Sequence, residues 1–357
     1  KIRKSVLSAT RAEASAGEGS QVGFESFDLV LDTRLLADRE KVEACGLLEE
    51  GAELLVLRTP PFQILTASDD RFARIFDGIT GDCMHTFHGH RNAVRAAVFS
   101  PCGGYVATAS DDFSAKLFDA KSSRHLWTFK GHRNNINAVD FGPCGQLVLT
   151  GSDDGTAKLF ACDRPWPSEL VHTFHSRNVV NSVRFSPDGS RVLTASDDKT
   201  ARMFDAETGR EILAFKHPDF VRSAAWSPDG RQIVSGDDDG IARIFDVSSD
   251  SVVRTFDDHS DGVCSATFSP DGRLLLTASQ DHLARIFDLG TGRCRTTCRG
   301  HTDFVCSATF SADGTKILTA SDDGTARIFP VETGDCARTY DVGPYHVSTA
   351  VFAPEPR

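Results

Sequence analysis

Thr319-Ala320-Ser321-Asp322-Asp323-Gly324-Thr325-Ala326-Arg327-Ile328-Phe329 reads as a short strand, a tight acidic turn and a returning strand. The first three residues, preceded by Ile317 and Leu318, have the β-branched content and two-residue period of a half-buried strand. Asp322-Asp323-Gly324 tolerates the turn geometry, and Thr325 to Phe329 returns antiparallel. Copies of the stretch end at Phe76, Phe118, Phe160, Phe204, Phe245 and Phe287, so the spacing up to Phe329 runs 42, 42, 44, 41, 42 and 42 residues. A fixed period in that range means an array of supersecondary units.

Upstream of each hairpin lies Val-x-x-Ala-x-Phe-Ser-Pro-Asp-Gly, seen at Val263 to Gly272, with variants at Val94, Val180, Val221 and Val305. Its apolar part is a strand, and Ser-Pro-Asp-Gly suits a type I turn. Downstream, segments such as His85 to Phe87 or Cys294 to Cys298 supply a fourth strand. Four antiparallel strands in about 42 residues make a propeller blade, because radial repetition leaves only short, protected edges.

These residues resemble the WD-repeat β-propeller family over almost the whole chain. Gly89-His90, Gly131-His132 and Gly300-His301 match the family's Gly-His, and the second Asp of each turn matches its structural Asp. The resemblance gives a structural role to His90 with Asp112, His132 with Asp154, His217 with Asp239, His259 with Asp281, and His301 with Asp323. One departure is systematic. The Trp-Asp that names the family is Phe-Asp at Phe76, Phe118, Phe204, Phe245 and Phe287, while Phe160 precedes Ala161 and Phe329 precedes Pro330. In the family the indole N–H ends a hydrogen-bond chain through a strand Ser or Thr and the His to the Asp. Phenylalanine has no donor, so the apolar wedge is expected to persist while the polar chain shortens.

The net charge of −11 argues against nucleic acid as a partner. No apolar run approaches the roughly 18 residues of a membrane span. Of the ten cysteines, Cys83, Cys294 and Cys336 are copies of one blade position, as are Cys102 with Cys144 and Cys264 with Cys306. No Cys-x-x-Cys occurs, so no metal and no disulfide framework is expected, and reduced thiols point to the cytoplasm.

Residues 1 to 50 read as a degenerate blade, with an insertion at about 11 to 21. Ser5 to Thr10 parallels Lys316 to Ser321, Phe27-Asp28-Leu29 parallels Phe287-Asp288-Leu289, and Thr33 to Leu36 is an outer strand. Glu53 to Leu57 then begins the first of seven regular repeats over residues 51 to 340, and Val347 to Phe352 closes the ring. The whole of 1–357 is thus expected to be one all-β propeller of eight four-stranded blades. The alternative has seven full blades from about Glu53 to Tyr340, with the first 50 residues packed outside and the last strand added on.

Lys216-His217 and Asp258-His259 keep the His without the Gly, Phe174 to Arg177 is one residue shorter than Phe87 to Arg91, and the loop before Leu54 lacks His. A histidine bound to a buried Asp is locked and unavailable for catalysis. Asp237-Asp238-Asp239-Gly240 is a poor calcium loop, since the twelfth position is Ser248 where a bidentate Glu is needed. Phosphate-binding loops, nucleophile elbows and His-Glu-x-x-His helices are missing, so no catalysis and no cofactor is expected.

Surface rings remain. The turn-tip ring reads Asp69, Asp111, Asp153, Asp197, Asp238, Gln280 and Asp322, an acidic rim. Entry loops carry Arg91, Arg133 and Arg177 on three consecutive blades, then Asp219, Asp261 and Asp303 on the next three, which makes this face electrically two-sided. If the innermost strands line the upper channel, Arg95 and Arg222 face the acidic rim from inside, either to salt-bridge its carboxylates or to bind a partner. The expected function is a non-catalytic scaffold binding protein or peptide partners on this face, as part of a multiprotein complex. A ubiquitin-ligase substrate receptor is the alternative, but the Arg that such members carry two places after the Asp closing the third strand is replaced by Ile79, Lys121, Glu207, Ser248 and Gly290. A transport or ciliary assembly adaptor is a further alternative of the scaffold kind.

Overall fold

The second strand of each repeat is the most apolar, and Leu274–Ser279, for instance, is buried along its whole length. It therefore lies inside a sheet, flanked by the first strand, which is the inner edge, and by the third, beyond which the fourth forms the outer edge. The computed structural model describes residues 28–31, 34–36, 55–57, 62–162 and 169–354. The chain forms two units, Lys1–Phe62 with Gly78–Thr80, and Gln63–Asp77 with Gly81–Arg357.

The second unit is a propeller of seven four-stranded antiparallel blades. Blades 2 to 7 run in chain order from the axis outward and begin at Val94, Ile136, Val180, Val221, Val263 and Val305. Blade 1 takes Gln63–Ser68, Ala73–Asp77 and Cys83–Phe87 from the start of the unit and its innermost strand, Val347–Phe352, from the end. That strand packs against the innermost strands of blades 7 and 2, which closes the ring.

The expected eight blades are therefore corrected to seven. The free edge of Gln63–Ser68 is taken by the C-terminal strand, with Val347 opposite Ser68, Ala350 opposite Thr66 and Phe352 opposite Ile64. Val347 and Ala350 repeat the Val-x-x-Ala spacing of the other innermost strands and are buried like them. The register irregularity after Val347 matches the one after Val94. Leu55–Leu57, expected in that place, instead pairs with Asp28–Leu31, which also pairs with Arg34–Leu36. These three strands form a separate sheet in the first unit. Ser5 to Thr10 and the insertion at 11 to 21 lie outside the described residues.

Blades are joined by aromatic wedges. The third-strand phenylalanine of one blade meets a fourth-strand ring of the blade before it: Phe118 on Phe87 at 5.3 Å, Phe160 on Phe129 at 5.2 Å, Phe204 on Phe174 at 5.0 Å, Phe245 on Phe215 at 5.2 Å and Phe287 on Phe256 at 4.8 Å between centroids. Phe329 shares an apolar cluster with Cys298, and Phe76 meets Tyr340 at 6.0 Å, so the series runs around the ring. Tilted pairs at these distances add about 0.5–1.5 kcal/mol each beyond burial. Phenylalanine thus keeps the wedge that the family builds with tryptophan.

Candidate protein-interaction surface

The loop entering each blade and the hairpin tip between its second and third strands meet on one face, where the structural His and Asp sit. His90 Nδ1 is 2.8 Å from Asp112 Oδ2, and its Nε2 is 2.7 Å from Thr108 Oγ1. His132 with Asp154 and Thr150, His259 with Asp281 and Thr277, and His301 with Asp323 and Thr319 repeat the arrangement. Burial lowers the His90, His132 and His301 pKa values against the pull of their carboxylates. The neutral ring donates from Nδ1 to Asp and accepts the Thr hydroxyl proton at Nε2, where the chain ends for want of an indole. Burial pushes the Asp112 carboxyl up, but bonds from His90, Ser114 and the Arg91 amide outweigh it and hold it well below the usual range. These groups are committed to structure.

Three blades differ. In blade 5, His217 Nδ1 lies 3.0 Å from Asp237, not at the expected Asp239. Asp237 occupies the column that holds Ser68, Ser110, Ser152, Ser196, Ser279 and Ser321, and its carboxylate reaches the ring first. Arg243 contacts Asp237 and also binds Asp239 at 2.9 Å. Asp237 Oδ1 stays buried without a partner, and burial raises that carboxyl while it lowers His217 to about 4. Before blade 4, His175 is taken up as an exposed residue of the outer strand of blade 3, opposite Thr156, and in blade 4 Arg202 pairs with Asp198 instead. In blade 1, which has no such histidine, Arg74 binds Asp70 at 2.6 Å. The consequence is the same in both: Thr194 Oγ1 and Thr66 Oγ1 are buried without a hydrogen-bond partner.

Those arginines belong to a third-strand column, Arg74, Lys116, Lys158, Arg202, Arg243, Arg285 and Arg327, that is cationic in every blade. Its signal was the residue after Ala in each Ala-Arg-Ile-Phe copy, which sequence reasoning passed over. In blades 1 and 4 it stands in for histidine. In blades 6 and 7 it supplements histidine, with Arg285 at 2.6 Å from Asp281 and Arg327 at 3.5 Å from Asp323.

Toward the axis, the acidic rim is tied to the innermost strands. Arg95 binds Asp111 through Nε at 3.0 Å and Nη2 at 2.6 Å, and reaches Asp69 of blade 1 at 3.0 Å. Arg222 does likewise, with Asp238 at 2.6 Å from Nε and Asp197 of blade 4 at 3.3 Å. Asn137 caps Asp153 at 2.6 Å, Asn181 caps Asp197 at 2.7 Å, and Asp322 takes Cys306 Sγ and His346 Nδ1, each at 3.0 Å. Both arginines thus bridge neighbouring blades. Burial pushes the Cys264 thiol up to about 12, and burial with Asp322 raises Cys306 further, so neither supplies a thiolate near neutral pH.

The entry loops share one backbone design. Asn92, Asn134, Asn178, Asp219, Asp261 and Asp303 each accept the next residue's amide at 2.8–3.0 Å. Asp219, Asp261 and Asp303 therefore align with those asparagines, one place after Arg91, Arg133 and Arg177. The three arginine amides bind Asp112, Asp154 and Asp198 at 2.9–3.0 Å, which fixes the loops. Their side chains are exposed, with no ion pair among the described residues. Phe113, Phe220, Phe304 and Tyr345 are exposed on the same face. At the other end, Ser186, Pro187, Asp188, Arg191, Trp226, Pro228, Asp229 and Gly230 line a cavity of about 420 Å³ between two turns.

Among the described residues no group of His, Cys, Asp and Glu could hold a metal ion, and no helix is long and apolar enough to cross a membrane. The family model described as WD domain, G-beta repeat matches residues 81–119, 123–160, 168–205, 209–246, 250–288 and 292–329. The chain belongs to that family. Each matched window starts just before the outer strand of one blade and ends on the third strand of the next, which is why six windows accompany seven blades. No curated protein matches the chain.

Proposed function

We propose that this propeller is a non-catalytic platform that binds protein or peptide partners on the face of entry loops and hairpin tips. The observation that carries the reading is the division of polar groups on that face. Inner His, Asp and Arg side chains are bonded to one another, whereas Arg91, Arg133 and Arg177 are held by their backbone amides with exposed guanidinium groups that form no ion pair among the described residues. Rigid loops presenting arginine and exposed aromatic rings are what an interface needs for anchors, and the unequal charge of the two halves sets orientation and on-rate. Family membership supports a role in assembling complexes. The test is the triple variant Arg91→Glu, Arg133→Glu, Arg177→Glu in affinity purification with mass spectrometry. A changed partner set is expected, and an unchanged one rejects that sector as the contact.

A further inference from the structure

The residue at each hairpin tip adopts the left-handed conformation. Gly155, Gly240 and Gly324 fill it in three blades, but Arg71, Phe113, Lys199 and His282 do so in the others, with φ of 78°, 66°, 66° and 68°. A bulky residue at positive φ is strained. Phe113 also exposes 47% of its surface, so neither backbone preference nor burial accounts for it. Two other strained tips have partners across the joint to the next blade: Lys199 lies 5.6 Å from the Phe220 ring and His282 5.9 Å from Phe304. The corresponding residue beside Phe113 is Asn135, and Phe113 has no ring partner among the described residues.

The tips and entry loops alternate around the rim. Gly155 sits against the carbonyls of Ser176 and Asn178, Gly240 against Asp261 and Gly324 against Gly343, so each tip abuts the loop entering the next blade. In that order the rim over blades 1 to 4 reads Arg71, Arg91, Phe113, Arg133, Gly155 and Arg177. The four arginines are exposed and unpaired among the described residues, and the Arg91 amide binds the carboxylate of Asp112, adjacent to Phe113. The opposite rim carries Asp219, Asp261 and Asp303 instead.

We infer that this arc is a docking site for an acidic peptide segment carrying one large apolar side chain, which covers Phe113 while its carboxylates pair with Arg71, Arg91, Arg133 and Arg177. The inference rests on the reading of this face as the binding face and assigns the partner's chemistry. Charge complementarity selects an acidic occupant, and the uncovered strained ring supplies the anchor point. The net charge of −11 opposes such a partner only weakly, because the fields of distant surface charges are screened within roughly 8–10 Å at physiological salt and the arginines at the contact dominate.

The probe is a phage-displayed library of short random peptides selected on the full chain. Enriched peptides should be acidic with one aromatic or long aliphatic residue, and should bind more weakly as salt is raised. Phe113→Gly should weaken them about ten-fold, as expected for loss of an anchor, with no fall in melting temperature because glycine suits the backbone there. Arg71→Glu with Arg133→Glu should abolish binding. Basic or neutral peptides whose binding falls in Asp219→Asn, Asp261→Asn, Asp303→Asn would overturn the arginine arc and leave the binding face standing. Acidic peptides indifferent to the arc variants overturn the arc, and no enrichment, or binding untouched by every loop variant, overturns both.

Discussion

Deleting residues 347–357 should open the ring, because one strand alone completes blade 1. Val347 and Ala350 are buried, at 0% and 1% exposure, and Thr349 Oγ1 accepts the Ala97 amide of blade 2 at 3.3 Å. Burying a valine side chain contributes about 1.5–3 kcal/mol and a methyl about 0.8. The inter-blade hydrogen bond adds about 1 kcal/mol net. The half-buried Val351 and Phe352 bring the loss to about 5 kcal/mol, before Ile64 and Leu65 are counted as newly uncovered. That is comparable to the whole stability of many domains, about 5–15 kcal/mol. The assay is urea unfolding followed by circular dichroism, with amide hydrogen exchange at residues 63–68. A large drop in midpoint and lost protection are expected, and Val347→Asp should reproduce much of both by burying a charge. An unchanged midpoint would refute the closure argument. So would a chain lacking residues 1–57 that loses protection at 63–68, since the ladder there comes from Val347–Phe352 and Ala73–Asp77.

Asp237→Ser should raise stability by about 1 kcal/mol, since it removes a buried carboxyl with an unpartnered oxygen and restores the residue of the other blades; equal or lower urea midpoints would count against it. His90, His132 and His301 have folded pKa values below the 6.5 of the free side chain because of burial. Unfolding therefore takes up protons as pH drops below 6.5, so their stability is full above that value and declines beneath it. Melting temperatures measured from pH 7.5 downward should fall, with a shallower slope in the variant His90→Gln, His132→Gln, His301→Gln. The lowered carboxyls of Asp112 and Asp281 add a further loss below about 4, as they are protonated. Gly324→Ala should cost about 2 kcal/mol or more and Gly155→Ala about 1, since an added Cβ meets the Gly343 carbonyl at 2.2 Å in the first and the Ser176 carbonyl at 3.4 Å in the second. Thermal melts with similar losses at both sites would show that the backbone conformation, and not the clash, sets the cost.

The blade was legible because strand and turn chemistry are local: Thr-Ala-Ser, Asp-Asp-Gly and Ala-Arg-Ile-Phe carry their periods and turn residues in the chain itself. The His–Asp pairs were legible for the same reason, at fixed offsets within one repeat. The blade count was not, since residues 27–36 imitate the third and fourth strands of a blade, and the competition between Leu55–Leu57 and Val347–Phe352 for one sheet edge is settled by packing across the ring. The partner of His217 was missed because a carboxylate in the serine column intercepts the ring before the turn Asp.

The sequence by itself determined the all-β repeat, the wedge of Phe118 and its copies, and the face on which loop charges gather. Only the tertiary structure decided which of those charges are spent. Arg95 and Arg222 reach carboxylates of the neighbouring blade, whereas Arg91, Arg133 and Arg177 do not, and Phe113 lacks the ring that Lys199 and His282 find across their joints. The reason is that these contacts join residues of different blades, whose apposition depends on the closed ring and leaves no periodic mark in one repeat.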